Sequence, residues 1–339
     1  FQRRRQLWER YLAEAGAPDL NVTPLANQFR FSAGQIRDAV ATAADLARWQ
    51  QTPLRAEQLF AASRAHSNQK LGALATKIEP HFGWDDIVLP ADTLAQLREM
   101  VNTVRQRPRV YHDWGFARRL SLGRGLNALF AGESGTGKTM AADVMAGELG
   151  LELYKIDLSA VVSKYIGETE KNLNQIFHEA ETSNAILFFD EADALFGKRS
   201  EVRDSHDRYA NVEISYLLQR MEAFDGAVIL ATNLRANLDE AFTRRLHYVV
   251  EFPFPEADDR ERIWQVNVPP DVPLADDVEW AELAQRFRIA GGNIRNIILA
   301  AAFLAAEEES PLALRHLLHA ARREYQKLGR LINETLFVP

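Results

Sequence analysis

Residues 132–139 of this 339-residue chain read Gly-Glu-Ser-Gly-Thr-Gly-Lys-Thr, and no other stretch restricts the fold as much. The spacing fits Gly-x-x-x-x-Gly-Lys-Ser/Thr, a loop that works only between a buried strand and a helix. Its glycines let the backbone curl round a phosphate, and the N–H groups at the helix start point inward. The flanks comply: an apolar run at 127–131 leads in, and a helical pattern starts at Lys138. Gly132, Ser134, Gly135, Thr136, Gly137 and Lys138 are expected to cradle phosphates, with Lys138 reaching the β- and γ-positions and Thr139 ligating Mg2+. A plain glycine-rich turn is the competing reading, and the strand before and helix after weigh against it.

The texture beyond residue 126 agrees. Apolar runs at 127–131, 151–158, 185–190, 227–232 and 248–252 alternate with helical patterns at 138–149, 168–183 and 208–222. The first four runs are almost continuously apolar, as parallel strands covered on both faces are. Strand alternating with helix predicts an α/β layered domain with right-handed crossovers. After Pro253 and Pro255 the pattern is all-helical to about residue 331, while 50–71 is polar and alanine-rich and reads as a helical linker.

Two strand ends carry candidate chemistry. The run at 185–190 delivers Asp190 and Glu191 to its C-terminal end, where ligands of open α/β sheets bind. Asp190 is expected to hold Mg2+, directly or through water, and Glu191 to polarise an attacking water. Asn233, after the run at 227–232, reads either as a turn residue or as a holder of that water or of a γ-phosphate. Arg244 and Arg245 read either as a solvated basic pair or as charge supplied to a phosphoryl-transfer transition state, a neighbouring subunit's site included.

The chain also repeats itself. Aligned without gaps, residues 25–47 and 283–305 share 11 of 23 positions, and each copy follows a basic helix built around a tryptophan, Trp8 or Trp264. One small helical module used twice explains the register of the matched Phe-Arg, Gly and Ile-Arg. Two unrelated alanine-rich amphipathic helices would not.

In this order, the phosphate loop, Asp190-Glu191, Asn233 and the paired arginines resemble the AAA+ ATPases, and more narrowly the AAA group that includes katanin, spastin and the Cdc48-type unfoldases. The resemblance runs from about residue 84 to 331. It implies an α/β P-loop NTPase core with a five-stranded parallel sheet, a C-terminal helical lid, ATP or ADP with Mg2+, and a self-assembled ring, of six, that threads a protein substrate. It places Asp86, Ile87 and Val88, in Trp-Asp-Asp-Ile-Val, at the adenine, together with Met140 after the loop and Gly291 and Gly292 at the lid. It makes Lys164, Tyr165 and Ile166 a pore loop that grips substrate, Asn233 a sensor, and Arg244 or Arg245 the finger. Val88-Leu89 stands where the family carries Gly-Gly, and Arg295 reads as a second sensor or, given its repeat partner Arg37, as a structural helix residue. The texture at 184–200, 206–211 and 252–255 is similar to bacterial Cdc48-like ATPases found with extracellular contractile injection systems. The expected organisation is a lid-like helical module plus linker at 1–72, a nucleotide-binding core at 73–254 and its lid at 255–339. Residues 1–50 would then be the lid of a preceding AAA module in a longer, tandem protein.

Composition removes other classes. No cysteine means no disulfide, thiolate zinc site, iron–sulfur cluster or cysteine nucleophile, which suits a reducing cytoplasm. The longest apolar run, 297–306, is far below the roughly 20 residues a membrane span takes. A net charge of −7 argues against nonspecific nucleic-acid binding. His178-Glu179 lacks the second histidine of a zinc protease, and no guanine-reading Asn-Lys-x-Asp occurs. An ATP-gated assembly scaffold with little turnover stays as the alternative to a motor.

Overall fold

The structure is a computed structural model and describes residues 1–29, 31–66, 74–119, 123–161, 167–181, 185–194, 205–233, 243–330 and 334–337. Its first unit is four helices: Gln2–Glu14 (α1), Thr23–Gln28 (α2), Ala33–Trp49 (α3) and Ala56–His66 (α4). Trp8, Leu12, Leu25, Phe29, Ile36, Val40 and Leu59 close one apolar core between them. The segment read as a helical linker is helical over α4 and also packs on the module. Leu59, Ala62 and Ser63 fall at i, i+3 and i+4, so α4 buries one face in the module.

The middle of the chain builds one sheet. Its strands are Thr76–Ile78 (β1), Leu126–Ala131 (β2), Glu152–Asp157 (β3), Ala185–Asp190 (β4), Ala227–Thr232 (β5) and Tyr248–Glu251 (β6), in the order β1-β3-β4-β5-β2-β6. The five expected strands are all present and mutually parallel. A sixth, β1, adds antiparallel to the outer edge of β3. On that edge Lys77 meets the buried Glu152 at 2.6 Å, and a lysine on an edge strand discourages further pairing.

Helices cover both faces, as parallel strands require. Ala91–Pro108 (α5) and Lys138–Leu149 (α6) bury one face with Leu97, Met100, Ala142 and Met145. Leu158–Val161 (α7), Glu168–Ala180 (α8) and Ser205–Ala223 (α9) cover the other with Leu173, Phe177, Leu217 and Met221. Helix α5 was not expected from the sequence. The paired strands place Ala131 beside Thr232 and Phe189 beside Leu230. The phosphate loop, Asp190 and Asn233 therefore leave the sheet at the same end.

Ala257–Val266 (α10), Trp280–Arg286 (α11), Gly291–Glu307 (α12) and Leu314–Lys327 (α13) form a third unit around Trp264, Phe287, Ile294 and Leu317. It duplicates the first in detail. The Arg4 guanidinium donates to the Ala26 carbonyl at 3.3 Å, and Arg260 donates to the Ala284 carbonyl at 2.8 Å. Helices α3 and α12 are both 17 residues long. Each is followed by a non-glycine residue in the left-handed region, Gln51 at φ 54° and Glu309 at φ 51°. Thr52 then donates back to Ala47, and Ser310 to Ala305, both at 3.0 Å.

The two copies differ where α3 and α12 begin. Ser32 and Gln35 satisfy each other's backbone N–H groups, so α3 caps itself. Helix α12 has no side-chain cap, and Gly292 N–H instead donates to the Gly135 carbonyl of the phosphate loop at 3.0 Å. Among the described residues no helix is long and apolar enough to cross a membrane.

Candidate active site

A cleft of about 420 Å3 opens between the C-terminal end of the sheet and the third unit. Its lining includes Asp86, Ile87, Val88, Ser134 to Met140, Asp190, Glu191, Asn233, Gly291, Gly292 and Arg295. The structure thus gathers five segments singled out in the sequence, separated by up to about two hundred residues, into one hollow of ligand size. Gly132 sits at its back rather than in the lining. A Cβ there would lie 2.2 Å from the Phe252 carbonyl oxygen, so only glycine lets β2 turn into the loop beside the end of β6.

Gly135 and Gly137 take the left-handed conformation, at φ 80° and 102°, and turn the loop into α6. Lys138 is the first residue of that helix and is buried. Its ammonium donates to the Gly132 and Glu133 carbonyls at 2.5 and 2.9 Å, and to Asn233 Oδ1 at 3.0 Å. Burial pulls its pKa below the ordinary lysine value, while the nearby Asp190 and Asp193 carboxylates resist that shift. Thr136 Oγ1 donates to the Glu133 carbonyl at 2.8 Å and stiffens the same turn.

Asp190 ends β4 with both oxygens engaged. Oδ1 accepts from Glu191 N–H at 3.0 Å, and Oδ2 pairs with Lys155 of the neighbouring β3 at 2.7 Å. Glu191 is exposed and carries φ 54°, one of three non-glycine residues in the left-handed region among the described residues. Asp190 and Thr139 are hard oxygen donors at one cleft, a set that suits Mg2+ with phosphate and water completing the shell. No group of three or more His, Asp or Glu that could hold a metal alone occurs among the described residues.

The 81–89 segment of the cleft wall is anchored from below. Asp143 of α6 is buried and accepts from His81 and Phe82 N–H at 3.1 and 3.0 Å, while Asp86 accepts from Gly83 N–H at 2.7 Å. Ile87 and Leu89 are buried against the core. Sequence reasoning missed Asp143, Lys155 and Asp193. It also missed Asp259, Ile263 and Asn267, which line the cleft from successive turns of α10 and its end. Their four-residue spacing was a usable signal.

Arg244 and Arg245 do not line this cleft. They are exposed, and Arg245 pairs with Glu222 of α9 at 2.9 Å. Lys164, Tyr165 and Ile166 lie outside the described residues, although Gly167 after them does start α8, at φ 84°. A larger hollow of about 670 Å3 lies near the opposite end of the sheet, between the first unit and the core. It holds none of the motif residues. Its Arg105 pairs with Glu148, and its Arg107 donates to the Asp225 and Gly226 carbonyls.

Residues 128–254 match the ATPase family associated with various cellular activities, AAA. This chain carries an AAA ATPase domain. Residues 1–69 match the contractile injection system ATPase helical domain, over the self-capped first unit. Among curated proteins, the uncharacterized AAA family ATPase y4kL of Sinorhizobium fredii is 37% identical over 183 residues, 53% of this chain and 53% of that protein. Proteasome-activating nucleotidase 1 of Haloferax volcanii is 30% identical over 238 residues, 68% of this chain and 57% of that one. The katanin p60 ATPase-containing subunit A1 of Strongylocentrotus purpuratus is 32% identical over 206 residues, 56% of this chain and 39% of that one. The chain spans about half the length of these relatives. The AAA match begins inside β2 and ends just past β6, so it covers the phosphate loop, Asp190, Glu191, Asn233 and both arginines but not the third unit.

Proposed function

We propose that this chain is an ATP-hydrolysing ring motor of six subunits that remodels, unfolds or threads a protein substrate in the service of a contractile injection system. The observation that carries the reading is the convergence of Lys138, Asn233, Asp190 and Glu191 on one cleft, with Lys138 already bonded to Asn233. The helical-domain match supports the injection-system link, and a relative named as a proteasome-activating nucleotidase supports a protein as substrate.

ATP lies with its phosphates on the N–H groups of 134–139 and its base between the 86–88 segment and Gly291-Gly292. Lys138 leaves its own carbonyl partners to meet the outer phosphates. Glu191 accepts the proton of the attacking water, which Asn233 orients. Mg2+, held through Thr139 and Asp190, would neutralise phosphate charge. Arg244 or Arg245 acts on the neighbour's site, since neither reaches its own, and Lys164, Tyr165 and Ile166 grip the substrate. Having both Asp190 and Glu191 at the cleft favours turnover over an ATP-gated scaffold.

The lid supports self-association. Helix α12 is apolar nearly all round yet exposes Leu299 and Phe303. Helix α3, its duplicate, carries Ala41 and Asp45 at those positions, so the fold itself does not need them. We read 1–72 as a lid-like module that caps its own helix end, 73–254 as the core and 255–339 as the lid proper. Glu191→Gln tests the hydrolytic reading: ATP binding should persist while turnover falls by about 100-fold or more. Unchanged turnover would remove Glu191 from the mechanism.

A further inference from the structure

We propose that Asp193 is the positioning residue that holds Glu191 and Asn233 in their working geometry. This rests on the hydrolase reading above and assigns a role outside the cleft lining. Asp193 lies on the short turn Ala192–Ala194, two residues past Glu191. Its carboxylate accepts a hydrogen bond from the Thr232 hydroxyl. It also accepts from Asn233 backbone N–H, at 3.1 Å to each oxygen. One side chain thereby ties the turn that carries Glu191 to the end of the strand that carries Asn233.

Three observations show why a tie is needed there. The β4–β5 ladder stops at Phe189 and Leu230, so beyond it β4 pairs only with β3 and β5 only with β2, and no ladder bond joins the two ends to each other. Glu191 sits at φ 54°, a conformation that is unfavourable for a non-glycine residue and persists only when its surroundings impose it. Thr232 is fully buried, so its hydroxyl must be hydrogen-bonded, and Asp193 is its acceptor.

The consequence follows the bonds outward. Asn233 takes its backbone position from Asp193 and offers its side-chain oxygen to Lys138 at 3.0 Å. Glu191 takes its position from the same turn. Water attack needs both side chains placed together, and a displacement of about 1 Å can cost on the order of 100-fold in rate. Asp193 does not line the cleft. Its two oxygens are spent on Thr232 and Asn233, and its influence on the reaction passes through them.

The test compares Asp193→Ala, Asp193→Asn, Thr232→Val and Thr232→Ser in the full chain. The readouts are steady-state ATP turnover, affinity for a fluorescent ADP and thermal unfolding. Asp193→Ala and the nearly isosteric Thr232→Val should lower kcat by about 10- to 100-fold, with KM and ADP affinity within about twofold of wild type. Asp193→Asn keeps the Oδ1 acceptor, and Thr232→Ser keeps the donor, so both should restore most of the rate. Wild-type kcat in Asp193→Ala and Thr232→Val would overturn the proposal. So would a parallel loss of ADP affinity and thermal stability, which a merely structural residue gives. A wild-type protein that binds ADP but never turns over ATP would overturn the hydrolase reading and this proposal with it.

Discussion

Replacing Gly292 by alanine should weaken nucleotide binding while leaving the lid at least as stable. A Cβ at this position would lie 3.2 Å from Gly135 Cα and 3.8 Å from the Gly135 carbonyl oxygen. That carbonyl also accepts from Gly292 N–H at 3.0 Å, so lid and phosphate loop would have to part. Gly135, at φ 80°, sits in a turn that offers little room to retreat. Overpacking of this kind costs about 1–3 kcal/mol, and a strained hydrogen bond adds to it. Taking about 1–2 kcal/mol as the share borne by the closed site, ADP affinity should fall roughly 5- to 30-fold. Helix propensity acts the other way, favouring alanine over glycine by up to about 1 kcal/mol, so unfolding of the nucleotide-free protein should not move down. At Gly34, the same place in the duplicate module, an added Cβ would meet nothing within 4 Å. Gly34→Ala is therefore the internal control and should bind ADP as wild type does. Fluorescent-ADP titration beside thermal unfolding decides it. Equal ADP affinities for the Gly292→Ala and Gly34→Ala proteins would refute the close lid–loop contact as part of the site.

Two further outcomes follow from pairs outside the motifs. Lys155→Met removes the cation that holds Asp190 Oδ2, so the Mg2+ concentration for half-maximal ATP binding should drop by about 2- to 5-fold; an unchanged or higher requirement would show that Lys155 does not compete at Asp190. Phe303→Asp installs the residue that the first module carries at the matching position and should weaken self-association by about tenfold or more in sedimentation, with ADP affinity kept; unaltered assembly would clear the α12 stripe of that role.

The parts of the site legible in the sequence are those whose chemistry depends on local spacing. The loop at 132–139 needs its glycines and lysine within eight residues, and Asp190-Glu191 needs only an apolar strand before it. The repeat was legible because a tryptophan, a Phe-Arg and an Ile-Arg recur in register, and the structure extends it to bonds no alignment displays. What stayed hidden depends on tertiary placement. Strand β1 is three residues, exposed or half-buried, and exists only because β3 offers an edge. Asp193 follows Asp190-Glu191 with nothing local to mark it, and only the fold brings Thr232 and Asn233, some forty residues on, against it. Asp259, Ile263 and Asn267 share a helix face, yet only the position of α10 beside the loop makes that face part of a cleft. Likewise, nothing local in the sequence announces that Arg245 meets Glu222 of α9.

The central claim is that subunits complete one another's ATP sites, and ATP turnover per subunit measured across a wide range of protein concentration tests it most directly. The account predicts a rate that is near zero at the lowest concentrations, climbs as subunits meet and then levels off. A full rate per subunit that persists down to concentrations where the protein sediments as a monomer would contradict it.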